Sequence, residues 1–593
     1  MNKRIFAVVL AYSLGLVLLA GAVRHAQASP QQSSQGHNAV QRMVLTFYYP
    51  WYGVPDGPGG AGRTVHWGKI DEANKEIQAS TNYPALGAYD SHDPEVIDKH
   101  CRWAKQAGID ALIVSWWGHG SYSDRAMEKI LDGCRRHGLA ACIYYETVPK
   151  PQTPDTAAQD IVRVLNKYGK HSAHLKVAGK PVVFVYGRAL NQLSLTAWRK
   201  AIEQINQQYE DGVNAIGDQF SYGAARVFDG VHTYNTAGSL RGMSPDKAQR
   251  WAEQTYRSWV QLADKAGKIS AITVIPGYDD TKIRTPGLAV QRYDGKLYQV
   301  QWKQAIKADP HWVLITSFNE WHEGSEIEPS AEYKDQYLEL TQKFAERFKA
   351  KERRNHQTSA SQDISGQEKA RLRQKLKKLP IGVLPDAESI AFWWLLDVGV
   401  TTESLSWQEI AAKNVTPRQY PALLYGAGER YRRSVHTPGD VDAGLRDYLK
   451  AGGCITYLPA DPWPFYYDEN RRRANRSSEF GLTLHHGWEN PPSDTKLYFL
   501  QPHRHLPHLP KKFAFPESGD LRWRPFFAEN HKKHISLLQL TNAEGHYLGD
   551  AVAYAEPHAG GAVMYCWFGL LQGPYAEALL YDIFDFLATN LSL

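Results

Sequence analysis

The chain has 593 residues, more than one ordinary domain accommodates, so two or three domains are expected. Hydrophobic residues make up 43% and charged residues 22%, which excludes a disordered tail protein and calls for buried cores. The net charge of +6 is scattered with no sustained basic stripe, which argues against nucleic acid as a partner. The excess is aromatic, with 18 Trp, 33 Tyr and 19 Phe. Such rings either fill a large core or stack on the C–H faces of sugars.

At the N-terminus, Lys3 and Arg4 precede an apolar run from Ile5 to Val23, followed by Ala26-Gln27-Ala28. This is the pattern of a secretory signal peptide over residues 1–28, so the body is expected to be exported, periplasmic or secreted. The run is also just long enough to span a bilayer as an uncleaved anchor, the one membrane association expected. Cys101 and Cys134 lie in helix-like segments; Cys142, Cys454 and Cys566 lie in strand-like runs. They read as small buried hydrophobes, although one pair could bridge in an oxidising compartment. With no Cys-x-x-Cys, no structural zinc is expected.

Between residues 40 and 350, short apolar runs alternate with amphipathic helices. The expected strands are Met43–Tyr49, Ala111–Trp117, Ala140–Glu146, Pro181–Tyr186, Ala215–Phe220, Gly230–Tyr234, Ala271–Pro276 and Trp312–Phe318. Asp93-Pro94 opens a helix with Ile97, Cys101 and Ala104 on one face and Gly108 as its stop. Ser244-Pro245 opens another, whose face is expected to be Trp251, Thr255, Trp259 and Leu262. Near-continuous apolar strands separated by helices argue for a parallel sheet buried on both faces. Eight such units fit a closed (β/α)₈ TIM barrel; a doubly wound open sheet is the alternative, but no Gly-x-Gly-x-x-Gly follows the first strand.

Residues 351–379 are polar and charged and read as a linker containing a helix-like stretch. Beyond them, Ile381–Leu384, Ala422–Tyr425, Cys454–Leu458 and Ala562–Trp567 read as buried strands, with a helix at Val441–Ala451. Residues 380–593 are thus expected to form a second, smaller, open α/β accessory domain. Its run Leu445–Gly453 into a strand resembles class I glutamine-amidotransferase-like domains of flavodoxin type. Their chemistry needs a Cys on a strand-to-helix elbow, whereas Cys454 opens its strand, so a non-catalytic role is expected.

The C-terminal ends of barrel strands carry the active site. Here those ends are rich in aromatic and polar residues, from Tyr48-Tyr49-Pro50-Trp51-Tyr52 at the first to Asn319-Glu320-Trp321-His322-Glu323 at the eighth. Concentration at one end favours sugar-stacking platforms over core filling. Glu320 and Glu323 are three apart just past a strand, so one turn can aim both carboxylates into one cleft, as glycoside hydrolysis requires. Apolar surroundings and mutual repulsion would push their pKa values apart. Acids in a first helical turn explain one Glu but not its neighbourhood. Glu-Trp-His-Glu lacks the second His of a metalloprotease motif, and His503, His505 and His508 between prolines read as a surface loop, so no metal and no cofactor are expected.

These motifs resemble glycoside hydrolase family 99, the endo-α-mannosidases and endo-α-mannanases. The resemblance covers about residues 43–350. It rests on Phe47–Tyr52, His66-Trp67, Tyr89–Pro94, Ser115-Trp116-Trp117, Pro276–Thr281 with Ile283-Arg284, and Thr316–Gly324. It implies a TIM barrel that cleaves within α-mannoside chains with retention, the substrate's own 2-hydroxyl attacking the anomeric carbon. Glu320 is then the base for that hydroxyl, and Glu323 the acid for the leaving group and later the base for water. Tyr49, Glu146, Trp117, Tyr234 and Tyr278 are implied to line sugar subsites, with Trp51, Tyr52, His66, Trp67, Trp116, Asp279, Arg284, Asn319, Trp321 and His322 as further substrate-binding candidates. The family's Thr-Gln-Ile-Glu is Ser325-Glu326-Ile327-Glu328 here, and its Ser-Arg-Asp is Ser91-His92-Asp93; both departures are expected to bear on subsite specificity. The expected partner is an oligosaccharide or polysaccharide. The rivals are a related enzyme of polysaccharide assembly acting on another sugar, and a catalytically silent carbohydrate-binding protein.

Overall fold

The computed structural model describes residues 40–353, 364–385, 388–429, 440–459, 463–466, 475–484, 496–500, 502, 504–515, 522–527, 529 and 531–591. The expected signal segment and His503 lie outside the described residues. Residues 39–593 form one compact unit.

Eight parallel strands build the first half: β1 (Met43–Tyr48), β2 (Ala111–Trp116), β3 (Ala140–Tyr145), β4 (Lys180–Val185), β5 (Asn214–Gly217), β6 (Gly230–His232), β7 (Ile269–Val274) and β8 (Trp312–Ile315). Each pairs with its sequence neighbours, and β8 pairs with β1 to close the barrel. The helices that follow them are α1 (Pro94–Gln106), α2 (Tyr122–His137), α3 (Pro154–Val164), α4 (Leu195–Gln208), α5 (Ala224–Val227), α6 (Pro245–Lys265), α7 (Lys296–Ala308) and α8 (Gln336–Lys349). The expected doubly wound alternative is therefore excluded. Strand β5 stops at Gly217 rather than Phe220, because Asp218 turns to accept the N–H groups of Gly187 and Tyr234 at 3.0 and 2.8 Å.

Strand alternation decides which side chains reach the barrel axis. In β1, Leu45 and Phe47 belong to the inner core with Tyr49, whereas Val44 and Tyr48 belong to the layer under the helices. In β2 and β3 the inner set is Ile113, Cys142 and Tyr144, and the outer set Leu112, Val114, Trp116, Ile143 and Tyr145. The outer layer meets α6 through Ala248, Ala252, Tyr256, Val260 and Ala263. The expected stripe of Trp251, Thr255, Trp259 and Leu262 is one position off. The alanines let the helix approach the sheet closely, and the Tyr256 hydroxyl donates to the Thr273 carbonyl at 2.9 Å.

The segment expected as a linker holds a docked helix, α9 (Gly366–Leu376), started by a Ser365–Glu368 capping box. Leu372 and Leu376, one turn apart, are buried against the C-terminal helix. Two apolar residues at the right spacing suffice to anchor an otherwise charged helix. The second domain contains β9 (Ile381–Val383), α10 (Ile390–Val398), β10 (Thr402–Ser404), α11 (Trp407–Ala411), β11 (Ala422–Tyr425), α12 (Val441–Lys450), β12 (Cys454–Tyr457), β13 (Leu497–Leu500), β14 (Lys512–Ala514), β15 (His531–Asn542), β16 (Tyr547–Pro557), β17 (Ala562–Cys566), α13 (Phe568–Leu571) and α14 (Ala576–Asn590). Its nine-stranded sheet runs β10-β9-β11-β12-β17-β16-β15-β13-β14, the first five parallel and the rest antiparallel. All five cysteines are free and buried. The Cys454 thiol is pushed up to about 12 by burial, a poor nucleophile. His508, expected on a loose surface loop, lies between Asp582 and Glu368 at 2.6 and 3.0 Å and ties α14 to α9. Among the described residues no helix is long and apolar enough to cross a membrane.

The two domains share one hydrophobic core. Glu388 accepts from Leu195 N, Thr196 N and Thr196 Oγ1 at 2.9, 3.1 and 2.6 Å, adding a charged cap to α4 of the barrel. Fully buried Trp393 carries the Arg199 guanidinium 4.7 Å above its ring. It also packs so closely on Gly223 that a Cβ there would sit 2.4 Å from its indole nitrogen. Asp397 pairs with Arg226 beside them. Trp393→Ala is expected to cost about 3–5 kcal/mol, the usual penalty for emptying a buried aromatic site. Scanning calorimetry should show a lower transition, split where the wild type gives one; an unchanged trace would refute a shared core.

Candidate active site

At the C-terminal end of β8 the chain makes a single 3₁₀ turn, Trp321–Glu323, followed by Gly324 in the left-handed region (φ 52°). A Cβ at Gly324 would lie 2.8 Å from Thr81 Oγ1, so the turn is pressed against its neighbours. Arg292 clamps it from behind, donating to the carbonyls of Gly324 and Glu326 at 3.0 Å each and to the Glu326 carboxylate at 2.6 Å. Asn319 is buried and holds β8 to β1, accepting from Tyr49 N at 2.8 Å and donating to Tyr49 O at 3.1 Å. Ser317 Oγ accepts from Glu320 N at 2.7 Å. The carboxylates are thus carried by a fixed loop.

Glu320 accepts from His322 N at 3.1 Å and from the Tyr52 hydroxyl at 3.4 Å. Burial, followed by repulsion from Glu323, holds its carboxyl well above the usual range. Burial also raises Glu323, but Tyr234 donates to it at 2.8 Å, Arg284 lies 3.4 Å away and Tyr278 is in hydrogen-bond contact. In a desolvated pocket the two carboxyls share a proton, and the donors around Glu323 favour the charge there. Glu146, on the inner face at the end of β3, is pushed up to about 8 by burial, against the opposing pull of Ser115 and Arg188. Ser115 Oγ donates to Glu146 at 2.7 Å and accepts from Trp117 Nε1 at 3.0 Å, so Glu146 and Trp117 form one wall. Trp51 stacks on His66 at 4.7 Å, and His66 neighbours His322 at 5.1 Å. Burial and that neighbour lower His66 to about 4.

Most of the expected site residues meet here: Tyr49, Trp51, Tyr52, His66, Trp117, Glu146, Tyr234, Tyr278, Arg284 and His322 surround the two carboxylates. Others do not reach the cleft. Trp116 faces the helix layer, donating to Asp124 at 2.8 Å, because it alternates with Ser115 and Trp117 along β2. Trp67 and Trp321 are wholly buried supports; Trp67 stacks on Tyr52 at 4.1 Å, and Trp321 donates to Tyr89 and Glu328 at 3.1 Å each. The Asn319 amide is consumed by backbone and Tyr89 contacts. Asp279 caps Thr281, and its neighbour Asp280 instead holds Arg284 and Tyr278. Of the residues that depart from the family pattern, Ser325 bonds Ser317, Glu326 pairs with Arg292, and His92 bonds the Tyr122 carbonyl; all three act behind the cleft rather than in it. Sequence reasoning missed Asp218, Asp280 and Arg188. Tyr186, the expected end of the fourth strand, marks the place, and Arg188 lies beside it. Among the described residues no cluster of His, Cys, Asp or Glu could hold a metal.

The usual carboxyl value for Glu146 is 4.5, and in the fold it keeps its proton to about 8. As pH rises through this window the unfolded chain ionises first, so the contribution of protonated Glu146 to stability is present at low pH and lost toward 8. Glu146→Gln removes that loss. Its melting temperature relative to wild type is expected to improve between pH 5 and about 8 and then to level off. A difference independent of pH would contradict this.

The family model described as Glycosyl hydrolase family 99 matches residues 39–350. The glycoprotein endo-alpha-1,2-mannosidase of Rattus norvegicus is 26% identical over 387 residues, covering 56% of this chain and 80% of its own length. That of Mus musculus is 28% identical over 376 residues, covering 54% and 77%. A solved GH99 endo-alpha-mannosidase from Bacteroides thetaiotaomicron is 29% identical, with 52% of this chain and 98% of that one covered and a TM-score of 0.44. The matched residues are the whole barrel with its carboxylate turn, and the chain belongs to glycosyl hydrolase family 99, a glycoside hydrolase acting on O-glycosidic bonds.

Proposed function

We propose that the protein is an exported, retaining, endo-acting hydrolase of α-mannoside glycans. The observation that carries this reading is the buried pair Glu320 and Glu323, one turn apart at the barrel mouth and facing Tyr234, Tyr278 and Arg284. The mannoside substrate is brought by the relatives that act on it. Export rests on the N-terminal signal pattern of the sequence.

Glu320 takes the proton of the substrate 2-hydroxyl as that oxygen bonds the anomeric carbon. The glycosidic bond breaks, and Glu323 gives its proton to the leaving oxygen. Glu323 then takes a proton from water, which attacks the same carbon, and the 2-oxygen recovers its proton from Glu320. Two inversions give net retention. Glu320 must therefore be ionised and Glu323 protonated in the complex, the reverse of what the donors favour in the free protein. A substrate hydroxyl donating to Glu320 supplies the hydrogen bond its charge lacks and moves the shared proton to Glu323.

Removing a general acid or base costs about 10²- to 10⁴-fold in kcat. Glu320→Gln and Glu323→Gln are both expected to lose that much on an α-mannan oligosaccharide. With an activated aryl leaving group, which departs without a proton, Glu323→Gln should recover its first step and Glu320→Gln should not. Recovery by Glu320→Gln instead would exchange the two roles; cleavage surviving loss of both carboxyls would overturn the mechanism.

A further inference from the structure

Arg188 stands on the cleft wall just beyond β4. Gly187 before it passes so close to Asp218 that a Cβ would lie 3.1 Å from the carboxylate, and Asp218 accepts the Gly187 N–H. This tight passage fixes where Arg188 emerges. Its guanidinium lies 4.7 Å from the ring centre of Trp117 and 5.6 Å from that of Tyr186. The side chain is exposed, and among the described residues neither an ion pair nor a hydrogen bond engages it. Arg284, by contrast, is spent on Asp280, Tyr278 and Glu323.

Asp218, a carboxylate near this wall, is spent on the N–H groups of Gly187 and Tyr234. Glu146, which interacts with Arg188 electrostatically, keeps its proton at neutral pH. Trp117, 36% exposed, provides the flat face against which a sugar ring can lie. A guanidinium held on aromatic rings presents its donors in one plane, the geometry that grips a carboxylate or phosphate through two parallel bonds. A neutral sugar would leave that charge unmatched.

We propose that the cleft is built for an acidic glycan: the sugar seated at the Trp117 wall carries a carboxylate or a phosphate ester, which Arg188 engages. This rests on the glycosidase reading above and adds the chemical class of its substrate. Arg188 is a specificity residue that takes no part in the proton-transfer steps.

The test uses three probes: a neutral α-mannan oligosaccharide, the same chain oxidised at C6 to uronic acids, and its 6-phosphorylated form. The full-length protein is expected to cleave one or both acidic chains with kcat/KM about 10-fold to 100-fold above the neutral chain, the range of a charge-assisted contact. The preference should shrink in high salt. Arg188→Met should bring the ratio of acidic to neutral kcat/KM down to about one, and Arg188→Lys should restore part of it. Whether the uronate or the phosphate form is preferred identifies the source of the acid. A neutral chain cleaved as well as both acidic chains, or Arg188→Met lowering all three equally, overturns the proposal while the glycosidase reading stands. Cleavage of none of the three overturns both.

Discussion

Two carboxyls in one water-poor pocket are the constraint on which the rest of the barrel mouth depends. Each ionised carboxylate resists burial, and the two repel one another, so a floppy loop would let them turn apart toward solvent. The fold prevents this by fixing the turn on every side. Arg292 grips two of its carbonyls, Asn319 locks β8 to β1, and the Ser317 hydroxyl receives the Glu320 N–H. The indole of Trp321 is held beneath by Tyr89 and Glu328. Residues of the catalytic motif thus divide into those that touch the cleft and those that keep it in shape.

That division explains what was legible in the sequence. The eight strands and the barrel followed from apolar runs and helix starts, because both sheet faces are buried and the strands read as continuous hydrophobic stretches. Glu320, Glu323, Tyr234 and Tyr278 were legible because they cluster at strand ends, whereas Arg284, ten residues past its strand, came only from the family resemblance. Trp116 and Trp321 were misplaced because clustering at an end says nothing about facing, and Trp67 because a matching motif says nothing about it either. Strand alternation sends Trp116 outward, and loop packing buries the other two. The aromatic excess therefore serves both purposes: most of the large buried side chains are core tryptophans, while the cleft takes tyrosines with Trp51 and Trp117. Asp279 and Asp280 could not be told apart, since which neighbour reaches Arg284 depends on a turn that Thr281 settles locally.

The second domain shows the same limit at a larger scale. The charged helix α9 ahead of it hides two buried leucines, and a segment with so few apolar residues reads as a linker until its partner helix is known. Its first five sheet strands, taken in chain order, lie as 2-1-3-4-5, the arrangement of flavodoxin-type doubly wound sheets. Cys454, however, opens a strand and is buried with a raised pKa, so the nucleophile of an amidotransferase is not found there. What the domain does supply is support. Glu388 and Trp393 press on α4 and α5, the helices that follow β4 and β5, whose ends carry Arg188 and Asp218.

The electrostatics of the mouth then fall into two parts. Around Glu323, the single guanidinium of Arg284 is engaged by both Asp280 and Glu323, so this end can stabilise an ionised carboxylate without attracting an anion from outside. Along the Glu146–Trp117 wall, Glu146 is held neutral and Asp218 is spent on the N–H groups of Gly187 and Tyr234, while among the described residues no ion pair engages Arg188. The Arg284 charge is thus engaged at the catalytic end, while the Arg188 charge stays open at the binding wall. Selection of the glycan by charge thus falls to that wall and the proton transfers to Glu320 and Glu323, with Glu146 the carboxyl that feels both ends.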